Sequence, residues 1–449
     1  MVNIPSGSAQ QGGYSSVSSA DRGQIVTGLA RINLSPSGEW LNDTHKFSKY
    51  SEVRKLRENS PLTSDSHEEF TEYLAASSFI HCGDGWGYLG RALDALLRGD
   101  VHAAVHLTYY AELRAALALM ASEGIYVGDY YTCVIDGPLS NIYVSREGTH
   151  KSIWKCLDEW HNSSKSKDLI GQVLRPGGIT LDSWISSISG NLLNPFISTL
   201  FDEMKIDLVF FETDRKNRNF ASYTPTRLHV DDLPTDEIRS IISNVWSCLE
   251  PDSQGSFPVL DGFLLRDTLV AHFSATNKLV DSEGNLTEAT DWSQWQDWLD
   301  KILPAQMIST SLHKELIAVS TQGSRGSILS AAFESTSLAG EPRKYVEGML
   351  LRATVLLRLA TGSCIQVLDE SGLDDTSIFP WVESLSLSRG IWPADDLPED
   401  RIDLWADNEI ALEELAKDKS TDLHTFVKNF SYYFPFIGQA ERVVAWSFA

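Results

Sequence analysis

Hydrophobic positions along most of the chain recur at the spacing of α-helices. The clearest run covers residues 101–120, where apolar side chains step by three or four residues and form one face (Val101, Val105, Tyr109, Leu113, Leu117 and Met120). Alanines fill many of the remaining positions, and alanine has the highest helix propensity. We predict one continuous helix here, with Val105, Tyr109, Leu113 and Leu117 buried.

Weaker runs of the same kind predict further helices. The most regular cover residues 150–160, 180–212, 238–249, 260–272 and 345–359. Three tryptophans at three-residue spacing, Trp292, Trp295 and Trp298, indicate a packing stripe rather than a ligand site.

Two segments depart from the helical pattern. Gly83, Gly85 and Gly87 interrupt the run that begins near residue 66, and they favour either a loop or a close approach of another backbone. Residues 130–135 and 141–145 flank Asp-Gly-Pro, a sequence typical of a turn, and predict a small β hairpin.

The pattern predicts a mainly α protein with a small hairpin and two helical domains. Residues 1–22 are rich in Ser, Gly and Gln and are expected to form a flexible arm. An N-terminal extension over 23–65 leads to a helical-bundle domain over 66–235. We place a boundary near 230–236, followed by a second helical domain over 236–449 with an acidic segment.

Composition limits the function classes. The net charge of -24 disfavours broad binding to DNA or RNA, so any nucleic-acid contact needs a local basic patch. The basic residues near position 50 (Lys46, Lys49, Arg54, Lys55 and Arg57) are interpreted as a solvated face. Five widely spaced cysteines are interpreted as reduced, buried thiols of a cytoplasmic protein. No signal peptide or membrane span is expected.

Motifs for most enzyme classes are missing from the sequence. There is no Gly-x-Ser-x-Gly, no His-Glu-x-x-His, no phosphate-binding loop and no dinucleotide fingerprint, so no cofactor is predicted. His102 and His106 could share a helix face and bind a metal, but no third ligand is evident. Two partly buried helix histidines are the preferred interpretation, and no metal is predicted.

One segment resembles a known family. Residues 218–223 read Arg-Asn-Phe-Ala-Ser-Tyr and follow a basic stretch that includes Arg215. With the alanine-rich helix around Tyr109, this segment resembles the HEPN class of helical-bundle domains over about 66–230. In that class an Arg near a helix end, often followed by Asn, precedes a His by four to six residues, and paired motifs meet at a dimer interface. Some members are metal-independent ribonucleases of defence and toxin systems, and others only bind.

The resemblance implies roles for particular residues. Arg218 would hold the charge of the phosphorane, since a guanidinium stays charged and can bind two phosphate oxygens. Asn219 and Arg215 would contact RNA. Tyr223 stands where the family has the basic His, and a phenol is a weak base at neutral pH. His229, beyond Pro225, is a possible substitute.

Two interpretations of Arg218 therefore remain open. In the first, the protein is a cytoplasmic defence-type or toxin-type factor that binds RNA or a partner subunit, or forms a homodimer, and cleaves RNA without a metal. In the second, it is a non-catalytic scaffold or accessory subunit of a larger complex. Arg218 then forms an ion pair with Asp214 or Glu212 that fixes the helix end.

Overall fold

The computed structural model describes residues 10–58, 64–186, 208–225, 230–252, 256–280, 286–302, 331–332 and 335–448. Helix far exceeds strand, as the sequence predicts. Two long helices, α3 (Ser64–Leu97) and α4 (Val101–Ser122), form a hairpin. Gly99 supplies the left-handed residue of the turn, and the Asp100 carboxylate accepts a hydrogen bond from the Ala103 amide at the start of α4. The continuous α4 and the burial of its four predicted side chains are confirmed.

The remaining described elements have the following bounds. Before α3 lie α1 (Arg22–Leu29) and α2 (Tyr50–Lys55). After α4 come α5 (Thr149–His161), α6 (Ser164–Val173), α7 (Leu181–Ser186), α8 (Leu208–Tyr223), α9 (Thr235–Ser247), α10 (Pro258–Thr276) and α11 (Trp295–Ile302). The last are α12 (Pro342–Ser371), α13 (Asp375–Arg389), α14 (Leu404–Lys417), α15 (Leu423–Phe430), α16 (Phe434–Ile437) and α17 (Arg442–Ser447).

Gly83, Gly85 and Gly87 lie inside α3, so the predicted loop is wrong. The nearest atoms at these three glycines belong to side chains, and the close approach of another backbone occurs at Gly90 of the same helix. A Cβ on Gly85 would lie 2.6 Å from Leu357 Cδ2 of α12. A Cβ on Gly90 would lie 2.6 Å from both the Ala440 amide nitrogen and the Gly438 carbonyl oxygen. Glycine lowers helix propensity here, but it lets neighbouring segments pack directly against the helix backbone.

We expect Gly90→Ala to destabilise the protein by about 1–3 kcal/mol, because the added methyl group meets backbone atoms that must move. The sign is informative, since the same change within a helix ordinarily stabilises by about 1 kcal/mol. Urea unfolding would measure the difference. Gly148→Ala is the control, because nothing lies within 4 Å of a Cβ there. Stabilisation by Gly90→Ala would contradict the packing argument.

The predicted hairpin forms the centre of a small sheet. Strands β3 (Tyr131–Gly137) and β4 (Ser140–Ser145) pair antiparallel, which confirms the hairpin. Strand β2 (Ile125–Gly128) adds antiparallel to β3, and β1 (Gln10–Gln11) adds parallel to β4, giving the order β1-β4-β3-β2. A separate ribbon pairs β5 (Lys278–Val280) with β6 (Leu286–Thr290).

The N-terminal segment departs from the expected flexible arm. Residues 10–11 join the sheet, and Val17, in a 3-10 helix over Tyr14–Ser19, is fully buried. Arg22 pairs with the buried Glu123 at 2.7 Å and donates to Ser363 of α12. The prediction is therefore wrong for residues 10–22, because one apolar side chain and one arginine find partners far along the chain. Residues 1–9 lie outside the described part.

The predicted boundary near 230–236 does not separate two packing units. Helix α12, from the second half, packs on α3 and α4 of the first half, and their buried side chains belong to one core. Trp86 of α3, for example, donates a hydrogen bond to Thr361 of α12 at 3.0 Å. By length and apolar composition α12 could cross a membrane, but nearly all of its apolar window is buried by protein. We interpret it as a core helix.

Two smaller predictions concern side-chain burial. Trp295 is fully buried, and its ring contacts Phe273, Trp292 and Trp298, which confirms the packing stripe. All five cysteines are buried free thiols, as predicted. Burial raises the pKa of the Cys133 and Cys248 thiols to about 12, so thiolate chemistry is disfavoured at both.

Candidate functional site

Helix α8 carries Arg218 and is fastened to the core at its N-terminal half. Phe211 stacks on Trp154 of α5, with ring centroids 4.3 Å apart and planes 5° from parallel. One turn later, Asp214 is fully buried and faces α12. These two contacts fix the position of the helix and leave its C-terminal half, including Arg218, at the edge of α4 and α5.

Asp214 belongs to a buried charge network. Arg352 of α12 donates to both Asp214 oxygens at 2.9 Å, and the Tyr345 hydroxyl donates to Oδ1 at 2.6 Å. A second carboxyl group, Glu112 of α4, lies 3.5 Å from Arg352 Nε. Burial and the neighbouring Asp214 charge raise the pKa of Glu112 well above its usual range and favour its neutral form. We therefore expect the network to hold one positive charge, on Arg352, and one negative charge, on Asp214.

This network overturns the expected ion pair between Arg218 and Asp214. Arg352 occupies both Asp214 oxygens. Glu212 is exposed, and its charge helps to raise the pKa of Lys155. Within the described residues, Arg218 has no carboxylate within ion-pair distance, and its buried Nε has no hydrogen-bond partner.

The Arg218 guanidinium lies over two aromatic rings of α4. Its carbon is 5.0 Å from the Tyr109 ring centroid and 5.7 Å from that of Tyr110. The negative faces of the rings attract the cation and hold it without neutralising it. Arg218 is half-buried, so it remains accessible as a positively charged group.

Two histidines flank this guanidinium. His150, from α5, stacks on Tyr109, and its Nδ1 is 2.9 Å from the Tyr109 hydroxyl. His106, from α4, lies beside Tyr110, and its Nδ1 is 2.7 Å from the Ser222 hydroxyl. Burial first, and then the Arg218 charge, lowers the pKa of both imidazoles below the usual 6.5. Both are therefore neutral at pH 7. We call His106, Tyr109, Tyr110, His150 and Arg218 the Arg218 cluster.

The other predicted site residues have different outcomes. Arg215 lies one turn before Arg218 on the same helix face and helps to lower the pKa of His150. Tyr223 is 81% exposed, and five helical residues place it about 140° around the axis from Arg218. Asn219, about 100° from Arg218, shares the side of Tyr223. Neither is brought to the cluster. His229 lies outside the described residues.

Sequence reasoning missed the roles of both histidines and both tyrosines. The sequence suggests a role for His106 only as a metal ligand together with His102. In the described part of the chain, no group of three or more His, Cys, Asp or Glu side chains could hold a metal ion. His106, Tyr109 and Tyr110 follow the i, i+3, i+4 spacing of one helix face, which is a usable signal. Nothing in the sequence connects His150 to that face, because the sheet separates α4 from α5.

One further basic side chain lies beside the cluster on an acidic protein. Arg215 is half-buried, and its charge helps to lower the pKa of His150. Lys151 is exposed and follows His150 on α5, whereas Lys216 lies about 160° around the α8 axis from Arg218. Arg215 and Arg218 are therefore the candidate members of the predicted local basic patch.

Comparisons with protein-family models, with curated protein sequences and with solved structures give no match for this chain. The interpretation of the site rests on its own geometry.

Proposed function

We propose that the Arg218 cluster binds the phosphodiester backbone of single-stranded RNA and cleaves it without a metal ion, in a cytoplasmic protein of the defence or toxin type. The observation that carries the proposal is the Arg218 guanidinium, which lies on two tyrosine rings between two neutral imidazoles and has no ion pair with a described carboxylate. Because no described carboxylate neutralises the guanidinium, its charge is available to a phosphate oxygen.

The chemistry needs a base and a cation. An imidazole removes the proton of the ribose 2′-hydroxyl, and the 2′-oxygen attacks phosphorus. The bond to the 5′-oxygen breaks, and that oxygen takes up a proton, leaving a 2′,3′-cyclic phosphate and a 5′-hydroxyl. Arg218 stabilises the added negative charge on the phosphorane oxygens.

Either histidine fits the role of base in one tautomer. If His150 Nδ1–H donates to the Tyr109 hydroxyl oxygen, Nε2 is left with a free lone pair. The same holds for His106 when its Nδ1–H donates to the Ser222 oxygen. The family resemblance requires a histidine soon after Arg218 in sequence; in this proposal a histidine from another helix takes its place. A homodimer, as in the family, would bring two such clusters together.

The proposal makes a prediction about pH. The base must be neutral, and its pKa is lowered, so cleavage should persist at pH 6.5 and fall about tenfold per pH unit only at lower pH. Arg215→Ala distinguishes the two histidines, because Arg215 lowers the pKa of His150 and does not contribute at His106. The midpoint of the acid limb should move to higher pH in this variant if His150 is the base, and stay in place if it is His106.

Cleavage rates of a fluorescent RNA oligonucleotide, measured from pH 4.5 to 8 in EDTA, would give this profile. A midpoint well above 6.5 in the wild type would contradict the assignment of either histidine as base. Binding of a 2′-O-methyl oligonucleotide without any cleavage of the unmodified one would support the binding-only alternative.

A further inference from the structure

A second candidate site lies away from the Arg218 cluster and is independent of the proposed function. A cleft of about 410 Å³ opens between α6, the segment before α10, α12 and the start of α13, and none of the cluster residues line it. Its volume falls within the range of about 300–1,000 Å³ that is typical of small-molecule sites.

The floor of the cleft carries a buried arginine with unused donors. Arg358 of α12 is 3% exposed, and its Nε and Nη2 donate to Asp261 at 2.8 and 2.7 Å. Nη2 also donates to the Val173 carbonyl oxygen. Nη1 has no hydrogen bond to any residue that the structure describes, and it lies beside Gly362, where a Cβ would be only 2.7 Å from it. Because Arg358 and Gly362 both line the cleft, Nη1 faces it.

The wall beside the arginine is rigid and partly aromatic. The Phe257 ring lies under the Arg358 guanidinium, with 4.8 Å from its centroid to the guanidinium carbon, and stacks at 6.1 Å on the buried Trp86. About two turns further along α12, Gln366 donates from its Nε2 to the Gln172 side chain. Its buried Oε1 has no hydrogen-bond partner among the described residues. Phe257 therefore holds the arginine in place, and the site offers a ligand an amide acceptor and a guanidinium donor.

The rim is acidic. Asp252, Asp369 and Asp375 line the cleft with one exposed cation, Arg175. Burial is the main cause that raises the pKa of Asp369; the charge of Arg175 opposes the rise, and the charge of Asp375 adds to it. Carboxylates at the rim attract a positively charged group and repel a phosphate, whereas the buried Arg358 donor requires an oxygen acceptor.

We propose that this cleft binds a small zwitterion of the amino-acid or dipeptide type, with a carboxylate oxygen on Arg358 Nη1 and the ammonium group toward Asp369 and Asp375. The carboxylates of the rim would repel a ligand that carries only a negative charge. A ligand that carries only an amine would leave Arg358 Nη1 without a hydrogen-bond acceptor. A zwitterion satisfies both the donor and the carboxylates.

The test uses the full chain and a panel of the standard L-amino acids, their glycyl dipeptides and inorganic phosphate at millimolar concentration. Thermal shift would find the members that bind, and titration calorimetry would measure their affinity. At least one zwitterion should raise Tm by several degrees and bind with one-to-one stoichiometry. Its N-acetyl derivative, which lacks the ammonium group, should bind about tenfold more weakly.

Variants separate the cleft from other binding. Asp369→Asn should weaken binding about tenfold, and Gln172→Trp, at an exposed position on the cleft wall, should abolish it by filling the space. Glu409→Gln, exposed on α14 and remote from the lining, should leave binding unchanged. The proposal is overturned if no zwitterion binds, if phosphate binds in their place, or if Gln172→Trp binds the same zwitterion as tightly as the wild type does.

Discussion

Replacing Arg218 by alanine is expected to lower the rate of RNA cleavage by about 10²–10³ while leaving the fold intact. The guanidinium acts on charge that exists only in the transition state, so its loss affects the rate far more than substrate binding. Its contribution to folding is a cation–π contact with Tyr109 and Tyr110, which is worth about 0.5–2 kcal/mol.

Lys216→Ala is the matched control for this variant. Lys216 is exposed and lies two residues before Arg218 on the same helix, so it can contribute to attraction of RNA but not to the cluster. Its replacement should weaken RNA binding slightly and leave the rate at saturating RNA unchanged. An Arg218→Ala protein that unfolds with a loss of several kcal/mol would show instead that Arg218 serves the fold.

The largest effect on stability is expected for Arg352→Leu, which should cost about 3–5 kcal/mol. The change leaves Asp214 fully buried without its cation, although the Tyr345 hydroxyl still donates to it. Chemical denaturation at pH 7 would measure the loss, which is a large fraction of the total stability of most proteins.

Glu112→Gln is the control that isolates the charge of the network. Glu112 lies 3.5 Å from Arg352, and its raised pKa favours the neutral form, so we expect an amide of the same shape to change stability by less than about 1 kcal/mol. If Glu112→Gln cost as much as Arg352→Leu, Glu112 would carry a charge and the assignment of one negative charge to the network would be wrong.

Helix positions in this protein could be predicted from the sequence because the information is local. The run over residues 101–120 has both a clear apolar face and high helix propensity, and it forms α4 as expected. The glycines in α3 were harder to interpret, since propensity favours a break there. The reason for glycine at these positions is the close packing of Leu357 and Ala440 against the backbone of α3, which the sequence does not show.

The partners of charged residues could not be predicted, because they come from distant parts of the chain. Asp214 is near Arg218 in sequence, yet its cation is Arg352, 138 residues away. Because Asp214 pairs with Arg352, Arg218 contacts the rings of Tyr109 and Tyr110 instead. His150 likewise joins the cluster through packing of α5 on α4, which no sequence spacing indicates. The motif singles out Arg218 and leaves the position of the base open, since Tyr223, which replaces the family's histidine, lies on another helix face.

The most direct test of the proposed function is end-group analysis of an RNA oligonucleotide incubated with the purified protein in EDTA. We expect products with 2′,3′-cyclic phosphate and 5′-hydroxyl ends from the wild type and from Lys216→Ala, and about 10²–10³ less product from Arg218→Ala. Intact RNA after incubation with a folded wild-type protein would contradict the proposed function, as would cleavage that Arg218→Ala leaves unchanged.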